Sequence, residues 1–381
     1  MRELARMGHR AVILTSDSSH FIVPPDFHGS YRVDVIDRVE FCWIKTLRYG
    51  AAKSFRRILS WLDFEWRLWR LPKQRFGRPD AVIVSSLSLL TILNGLWLRR
   101  KYGCRLVFEV RDIWPLTMTE EGGYAKYNPF VIGLGIIERL GYRRADVVVG
   151  TMPNLEAHVT EVLGYRRVVH CIPMGVDDLA LAADEPLEVD YEARYIPQGK
   201  FIVCHAGSIG LTNALDTLLA CARALRDHSH IHFLVVGKGD LKARYQELCA
   251  DLPNITFAPA VKKSMVQSVL ARSDLLYFST HTSKVWKYGQ SLNKVIDYML
   301  SGKPIVASYS GFPSMINEAG CGSFIPPGDV EALCNEILHY ANMPTDTREA
   351  IGGAGRSWLL RNRKYEVLAD DYLQLLLPRS S

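Results

Sequence analysis

The sequence predicts an α/β protein of two domains, each a mostly parallel sheet covered by helices on both faces. Three observations predict it. Short, uniformly apolar, β-branched runs recur along the chain with helical patterns between them, and such strands belong to sheets buried on both sides. Ten of these runs overfill one ordinary doubly wound sheet. The 381 residues also exceed what one core usually organises, and 48% hydrophobic with 23% charged residues is a folded, not a disordered, composition.

In the first half the runs are Ala11–Thr15, Ala81–Ser85, Arg105–Val110, Asp146–Gly150 and Val168–Ile172. In the second they are Phe201–His205, His232–Val236, Ile255–Ala258, Leu275–Ser279 and Pro304–Ser308. Between Pro173 and Lys200 the periodicity stops, and Gly175, Pro186 and Pro197 mark a connection. The expected domains are therefore 1–175 and 195–357, followed by a helical segment, 358–381, whose helix runs from Trp358 to Leu377. Met1–Met7 reads as the end of a helix with Gly8 as its stop. A doubly wound domain opens on a strand and a tight loop before its first helix. The expectation is thus that Met1 is not the biological start and that roughly 20–30 residues precede it. Eight cysteines are scattered without CxxC or zinc spacing, which reads as free, mostly buried thiols in a reducing compartment. No apolar run approaches the length of a spanning helix.

The richest stretch is KYGQSLNKVIDYMLSGKPIVAS, Lys287–Ser308. Leu292, Val295, Ile296, Met299 and Leu300 make one apolar helix face. Ser291 is the expected N-cap, with Gly302 and Pro304 ending the helix. Gly289 lets backbone approach a ligand closely. The helix start offers N–H groups and the positive dipole end, a natural diphosphate site, and Lys287 and Lys294 add charge there. Gln290, Ser291 and Asn293 belong to the same segment. Asp297, one turn deeper, suits two sugar hydroxyls. A solvated polar face on an ordinary amphipathic helix would read the same way.

Two further stretches end strands. In HAGSIGLTNALDTLLACARAL, His205–Leu225, a glycine-containing turn with Gly207 and Ser208 follows a strand and opens a helix, with Asn213 and Asp216 as capping types. It could hold a phosphate or be a plain turn. In VFEVRDIWP, Val107–Pro115, Arg111 and Asp112 stand at a strand's carboxyl end, where open α/β sheets bind ligands. They suit an electrostatic or acid–base pair, or a brace for the loop before Trp114.

These stretches resemble glycosyltransferase family 4, in its subgroup with YGxSPNKxxDYMxxGKPVV, AGxxGLxxGLDTLL and RDLWP patterns. VVGKGDLKARY (Val235–Tyr245), APAVKKSMVQSVLARSDLLYFS (Ala258–Ser279), ERLGYRRAD (Glu138–Asp146) and PMGVD (Pro173–Asp177) are similar to further motifs of that subgroup. The resemblance runs from about Gly8 to Tyr372 and is weakest over Ser16–Gly77. It implies the GT-B fold, two Rossmann-like domains facing across a cleft, with the donor mainly on the second and the last helix crossing back to the first. It also implies sugar transfer with retention of configuration and no metal. Asp297 takes the donor ribose hydroxyls by this resemblance, and the backbone near Ala258–Val261 meets the base. Gly207, Ser208, Lys287, Gly289, Gln290, Ser291, Asn293 and Lys294 complete the donor set, while Arg111 and Asp112 are the catalytic candidates. The sequence departs from the family or its subgroup at several positions, Met174 in place of an Asn among them. Gly289 stands where a Glu is common, Leu292 replaces a Pro, Ser208 and Asn213 occupy positions often Arg and Lys, and Arg111 replaces a His. Lys262 and Lys263 read as solvated surface charges.

From Trp43 to Arg78 ten Lys or Arg face two acids, and Trp43, Trp61, Trp66 and Trp69 interleave with them. A basic helix with interfacial aromatics suits an anionic membrane surface, at about 1 kcal/mol per near-surface cation. No nucleic-acid motif accompanies it, and an inward-packed amphipathic helix is the plainer reading. Membrane contact through 43–78 suits the polyprenyl-diphosphate-linked acceptor that the subgroup implies, on the inner face of a bacterial inner membrane. The expected activity is transfer of a hexose or N-acetylaminosugar from a UDP-sugar, the nucleotide sugar being the only small-molecule requirement. A UDP-sugar 2-epimerase of the same architecture and a non-catalytic scaffold are the alternatives.

Overall fold

The computed structural model describes residues 1–18, 25–48, 55–86, 88–177 and 185–377, the side chains of 55–58 excepted. The chain divides into two compact units. The first holds 1–151, 155–172 and 366–381, and the second holds 152–154 and 173–365.

The second unit is a six-stranded parallel sheet made of β8 (Phe201–Ala206), β9 (Ile231–Val236), β10 (Ile255–Ala258), β11 (Leu275–Ser279), β12 (Ile305–Ser308) and β13 (Gly322–Ile325). Their spatial order is β10-β9-β8-β11-β12-β13. Both faces are buried, which explains the uniformly apolar runs. Ile202, Cys204, Leu234, Leu276 and Phe278 enter one core, while Phe201, Val203, Phe233, Leu275 and Tyr277 enter the other. Fully burying one such side chain contributes about 1.5–3 kcal/mol. β13 went unread in the sequence. The order reverses between β8 and β11, a topological switch point, so the turns leaving these two strands lie where ligands bind in such sheets.

The first unit carries two sheets. In one, β1 (Ala11–Ser16) pairs in parallel with β3 (Val39–Ile44), which pairs antiparallel with β2 (Tyr31–Ile36). In the other, β4 (Ala81–Ser85), β5 (Arg105–Val110), β6 (Val147–Gly150) and β7 (His170–Cys171) run in parallel in that order. The short Arg2–Arg6 helix serves both: Leu4 packs with Val107 and Val147, and Ala5 with Ala11 and Val39. β1 and β4 are edge strands and mostly half-buried, although their sequences are apolar throughout. The β2–β3 hairpin was not foreseen. Its turn, Asp37–Arg38, takes two positive φ angles of 50° and 66° without a glycine.

The segment expected as a single helix from Trp358 is divided. One helix ends at Asn362 and the next spans Tyr365–Leu376. Leu359 is buried in the second unit's core. Leu368, Ala369 and Leu376 pack on β5 and β6 of the first. The change of unit falls at Glu366 and not at 358. No helix among the described residues is long and apolar enough to cross a membrane.

The basic stripe is not one surface. Its positions 49–54 and the side chains of Phe55, Arg56 and Arg57 lie outside the described residues. Trp43 is buried on β3, and Phe64 and Phe76 pack on a core cluster. Trp61 turns inward against Trp114, ring centroids 5.6 Å apart. What remains outward is the ridge Leu62, Trp66 and Trp69 on the Phe55–Arg70 helix, with Trp66 61% exposed. Trp97 joins it edge-on to Trp69 at 5.7 Å, and Lys101 lies 4.7 Å over the Trp97 ring.

Candidate functional site

The turn leaving β8 is built from backbone. Gly207 N–H donates to Val236 C=O at 2.9 Å, and Ile209 N–H to Lys238 C=O at 2.9 Å, zipping it to the turn after β9. Gly237 and Gly239 permit this. A Cβ on either would stand 1.8 Å from Gly207 O or 2.1 Å from Ile209 O. The sequence signal was the glycine of the βα turn, and the structure shows its partner to be a second glycine-bearing turn.

The Asn293–Ser301 helix approaches this turn from the other side of the switch point. Tyr298 anchors it: its hydroxyl accepts from Ala206 N–H at 2.9 Å and lies 3.2 Å from the carbonyls of Ala206 and Tyr277. Lys294, in the first turn, thereby reaches Gly207, where a Cβ would be 3.8 Å from Lys294 Nζ. Lys294 Nζ donates to Asn213 Oδ1, and Ser279 Oγ, at the end of β11, holds Asn213 C=O at 2.6 Å. Burial pulls the Lys294 ammonium down to about 8. The His205 imidazole beside it is pushed down to about 3, by burial first and by the Lys294 charge second. His205 is therefore neutral, leaving Lys294 as the cation of this corner. A half-buried cation beside a close-packed glycine turn and a helix start is an arrangement that can hold an anion.

Asp297 faces another neighbour. Both its carboxylate oxygens accept from Lys263 Nζ, and Gln267 Nε2 donates to its backbone carbonyl at 3.1 Å. Lys263 is thus an ion-pair partner of Asp297, not only the surface charge expected. Nearby, Lys242 Nζ donates to the carbonyls of Gly237 and Ala258 at 2.9 and 2.6 Å. Sequence reasoning missed both lysines, whose partners lie on other elements.

The segment before the helix departs from expectation. Ser291 is not the N-cap; Leu292 holds that position without a side-chain bond, and Ser291 Oγ instead accepts from Met174 N–H at 3.3 Å. Asn293 is exposed at the first helical position. Lys287 is exposed too, its ammonium 5.6 Å from the Tyr288 ring centroid. Ser208 is likewise exposed on its turn. Gln290 is buried, and neither amide atom has a hydrogen-bond partner among the described residues. Gly289 has φ +104°, and a Cβ there would lie 2.4 Å from Pro153 Cδ. Packing therefore excludes the carboxylate that the wider family carries at this point.

In the first unit, Ser86 organises Arg111 and Asp112. Its Oγ accepts from Arg111 N–H at 2.9 Å and Asp112 N–H at 3.3 Å, and it can donate to Asp112 C=O at 3.2 Å. Both side chains are half-buried at the carboxyl end of β5. Tyr372 of the last helix donates to Glu109 on the same strand. Ser86 carries no sequence signal, because its work is on backbone amides. Close by, Ser88 Oγ donates to Glu65 at 2.7 Å, and burial pushes the Glu65 carboxyl up to about 7.

Two α/β units, one of them a six-stranded parallel sheet with a switch point, are those of the GT-B class with its two Rossmann-like domains. Residues 1–175 match the model of the glycosyl transferase 4-like domain, and residues 200–342 that of the glycosyl transferases group 1. The chain belongs to these glycosyltransferases. No curated protein sequence matches it. Among solved structures it is similar to sucrose-phosphate synthase from Thermosynechococcus elongatus, at 18% identity and TM-score 0.73, over 98% of this chain and 90% of that one. It is similar to OtsA at 10% identity and TM-score 0.70, over 100% and 95%. Anabaena HepE, solved with UDP-glucose, aligns at 13% identity and TM-score 0.61, over 89% and 86%.

Proposed function

We propose that this glycosyltransferase moves a hexose or N-acetylaminosugar from a UDP-sugar to a saccharide carried on polyprenyl diphosphate. The transfer retains anomeric configuration, needs no metal, and serves bacterial surface polysaccharide such as O-antigen or capsule. The observation that carries the donor half is the Lys294–Asn213–Gly207 corner at the switch point. As the bond from sugar C1 to the β-phosphate oxygen breaks, its electron pair stays on the diphosphate. Lys294 and the start of the Asn293–Ser301 helix meet that charge. The acceptor hydroxyl oxygen bonds to C1, its proton leaves with the phosphate or solvent, and UDP departs. Asp297 takes the ribose hydroxyls once Lys263 gives way or shares it, and the Ala258–Val261 backbone takes the base. HepE solved with UDP-glucose and Staphylococcus aureus TarM solved with UDP support the uridine choice. Arg111 and Asp112 act on the acceptor side, held by Ser86.

The acceptor half rests on the outward ridge of Leu62, Trp66 and Trp69 with Trp97, Arg70 and Lys101. Indole rings with cations over them suit the headgroup region of an anionic membrane. On this reading the enzyme works peripherally on the cytoplasmic face.

Incubating the protein with UDP-sugars and a bacterial polyprenyl-diphosphate saccharide fraction tests the reading. UDP release that depends on the lipid fraction is expected. Release with soluble saccharides alone would remove the lipid half, and epimerised donor without release would replace transfer by epimerisation. In sedimentation with phosphatidylglycerol vesicles at low salt, Trp66→Ala with Trp69→Ala should cut binding at least tenfold, estimated from two buried aromatic side chains. Unchanged sedimentation would remove the membrane face.

A further inference from the structure

Cys221 and Cys334 are far apart in sequence, yet their sulfurs lie 3.1 Å from each other. Cys221 is buried on the Asp216–Ala224 helix, and Cys334 is half-buried on the Val330–Asn342 helix. The helices pack side by side over one face of the second unit's sheet, where Leu218, Ala222, Leu333 and Ile337 share a core cluster with Cys221. Two helices fixed by that packing hold the thiols facing each other. A bond would need them at roughly 2.05 Å, so about 1 Å of approach remains. Cys334 meets solvent at its edge, while Cys221 waits behind it. The contact with Cys221 also holds the Cys334 thiol below its ordinary value, whereas the same contact and burial push the Cys221 thiol up. The half-buried Cys334 is the sulfur a peroxide in solvent reaches first, with Cys221 behind it, the arrangement of an attacking and a resolving cysteine.

We propose that Cys334 and Cys221 form a peroxide-responsive dithiol that closes reversibly into a disulfide. The Cys334 thiolate attacks one oxygen of hydrogen peroxide, the O–O bond breaks, and water leaves after protonation, giving a sulfenic acid. Cys221 then attacks that sulfur and displaces a second water. Two thiols and one peroxide become one disulfide and two waters. A dithiol reductant reverses it. The bond closes a loop of more than a hundred residues and ties two helices of one core, so the oxidised protein should resist unfolding more than the reduced one. The Asp216–Ala224 helix also follows the turn that carries Asn213, but the inference does not depend on what that turn binds.

The test uses the full chain, reduced, freed of reductant and treated with near-stoichiometric hydrogen peroxide, followed by peptide mass mapping. The expected product is a linked peptide pair joining Cys221 and Cys334, two hydrogens lighter than the separate peptides and lost on reduction. The oxidised chain should melt at least about 5 °C higher, and Cys334→Ser should show neither change. Absence of the linked pair overturns the proposal, whether the chain is unmodified, over-oxidised at Cys334, or cross-linked through the exposed Cys171. Because the wild-type chain is mapped directly, the result does not depend on the variant folding.

Discussion

Lys294→Met is expected to weaken UDP binding at least about 100-fold, from loss of a charge-assisted contact of some 3 kcal/mol to a dianionic leaving group. Met keeps the length of the side chain and much of its apolar contact, so the fold should survive with a thermal midpoint near that of the parent. The pH dependence is more particular. Burial lowers the Lys294 ammonium to about 8, so the free site carries its charge below that pH and loses it above. Affinity for a UDP-sugar, whose diphosphate has no proton to lose in this range, should be level from pH 6 to about 7.5 and fall toward tenfold per unit above 8, the limit for a one-proton requirement. Isothermal titration across that range checks both points. His205 contributes no slope there, since it is already neutral. A Lys294→Met chain that binds UDP as tightly as the parent would show that the diphosphate lies elsewhere.

The second large effect is expected at Gly289. An alanine there must hold φ near +104° and place its Cβ 2.4 Å from Pro153 Cδ and 2.6 Å from Pro153 Cγ. The ring is rigid, so the backbone must move. Strain and overpacking together should cost about 2–5 kcal/mol and lower the melting midpoint by about 5 °C or more. Pro153→Ala should recover part of the loss in the double variant, because the two sites share one contact. A Gly289→Ala chain that melts within 1 °C or so of the parent, within the usual range of neutral substitutions, would contradict the packing described. The same geometry explains why this chain lacks the family's carboxylate at the position: no side chain fits.

Much of the second domain was legible because its strands are buried on both faces. Runs such as Phe201–His205 and Leu275–Ser279 leave no alternative to a covered parallel sheet. The β2–β3 hairpin was not legible. Its strands are half exposed, and its turn residues, Asp37 and Arg38, lack the glycine that signals two positive φ angles. The candidate site divides similarly. Glycines announced close backbone approaches, and a lysine in the first turn of a helix does lie against one of them. What the sequence does not carry is which side chains meet across the fold. Lys294 finds Asn213, Asp297 finds Lys263, and Ser291 leaves its helix to serve Met174. Lys287 looks as cationic as Lys294 on paper, yet only Lys294 is half-buried against the glycine turn. Ser86 was invisible because its partners are main-chain amides.

The most direct measurement is a crystal structure of the full chain grown with UDP. The β-phosphate should lie within hydrogen-bond distance of Lys294 Nζ and against the Gly207 turn, with Lys294 drawn off Asn213 and the ribose hydroxyls toward Asp297. A nucleotide bound away from the Asn293–Ser301 helix, or one that leaves Lys294 on Asn213 and touches no group of that turn, would contradict the assignment.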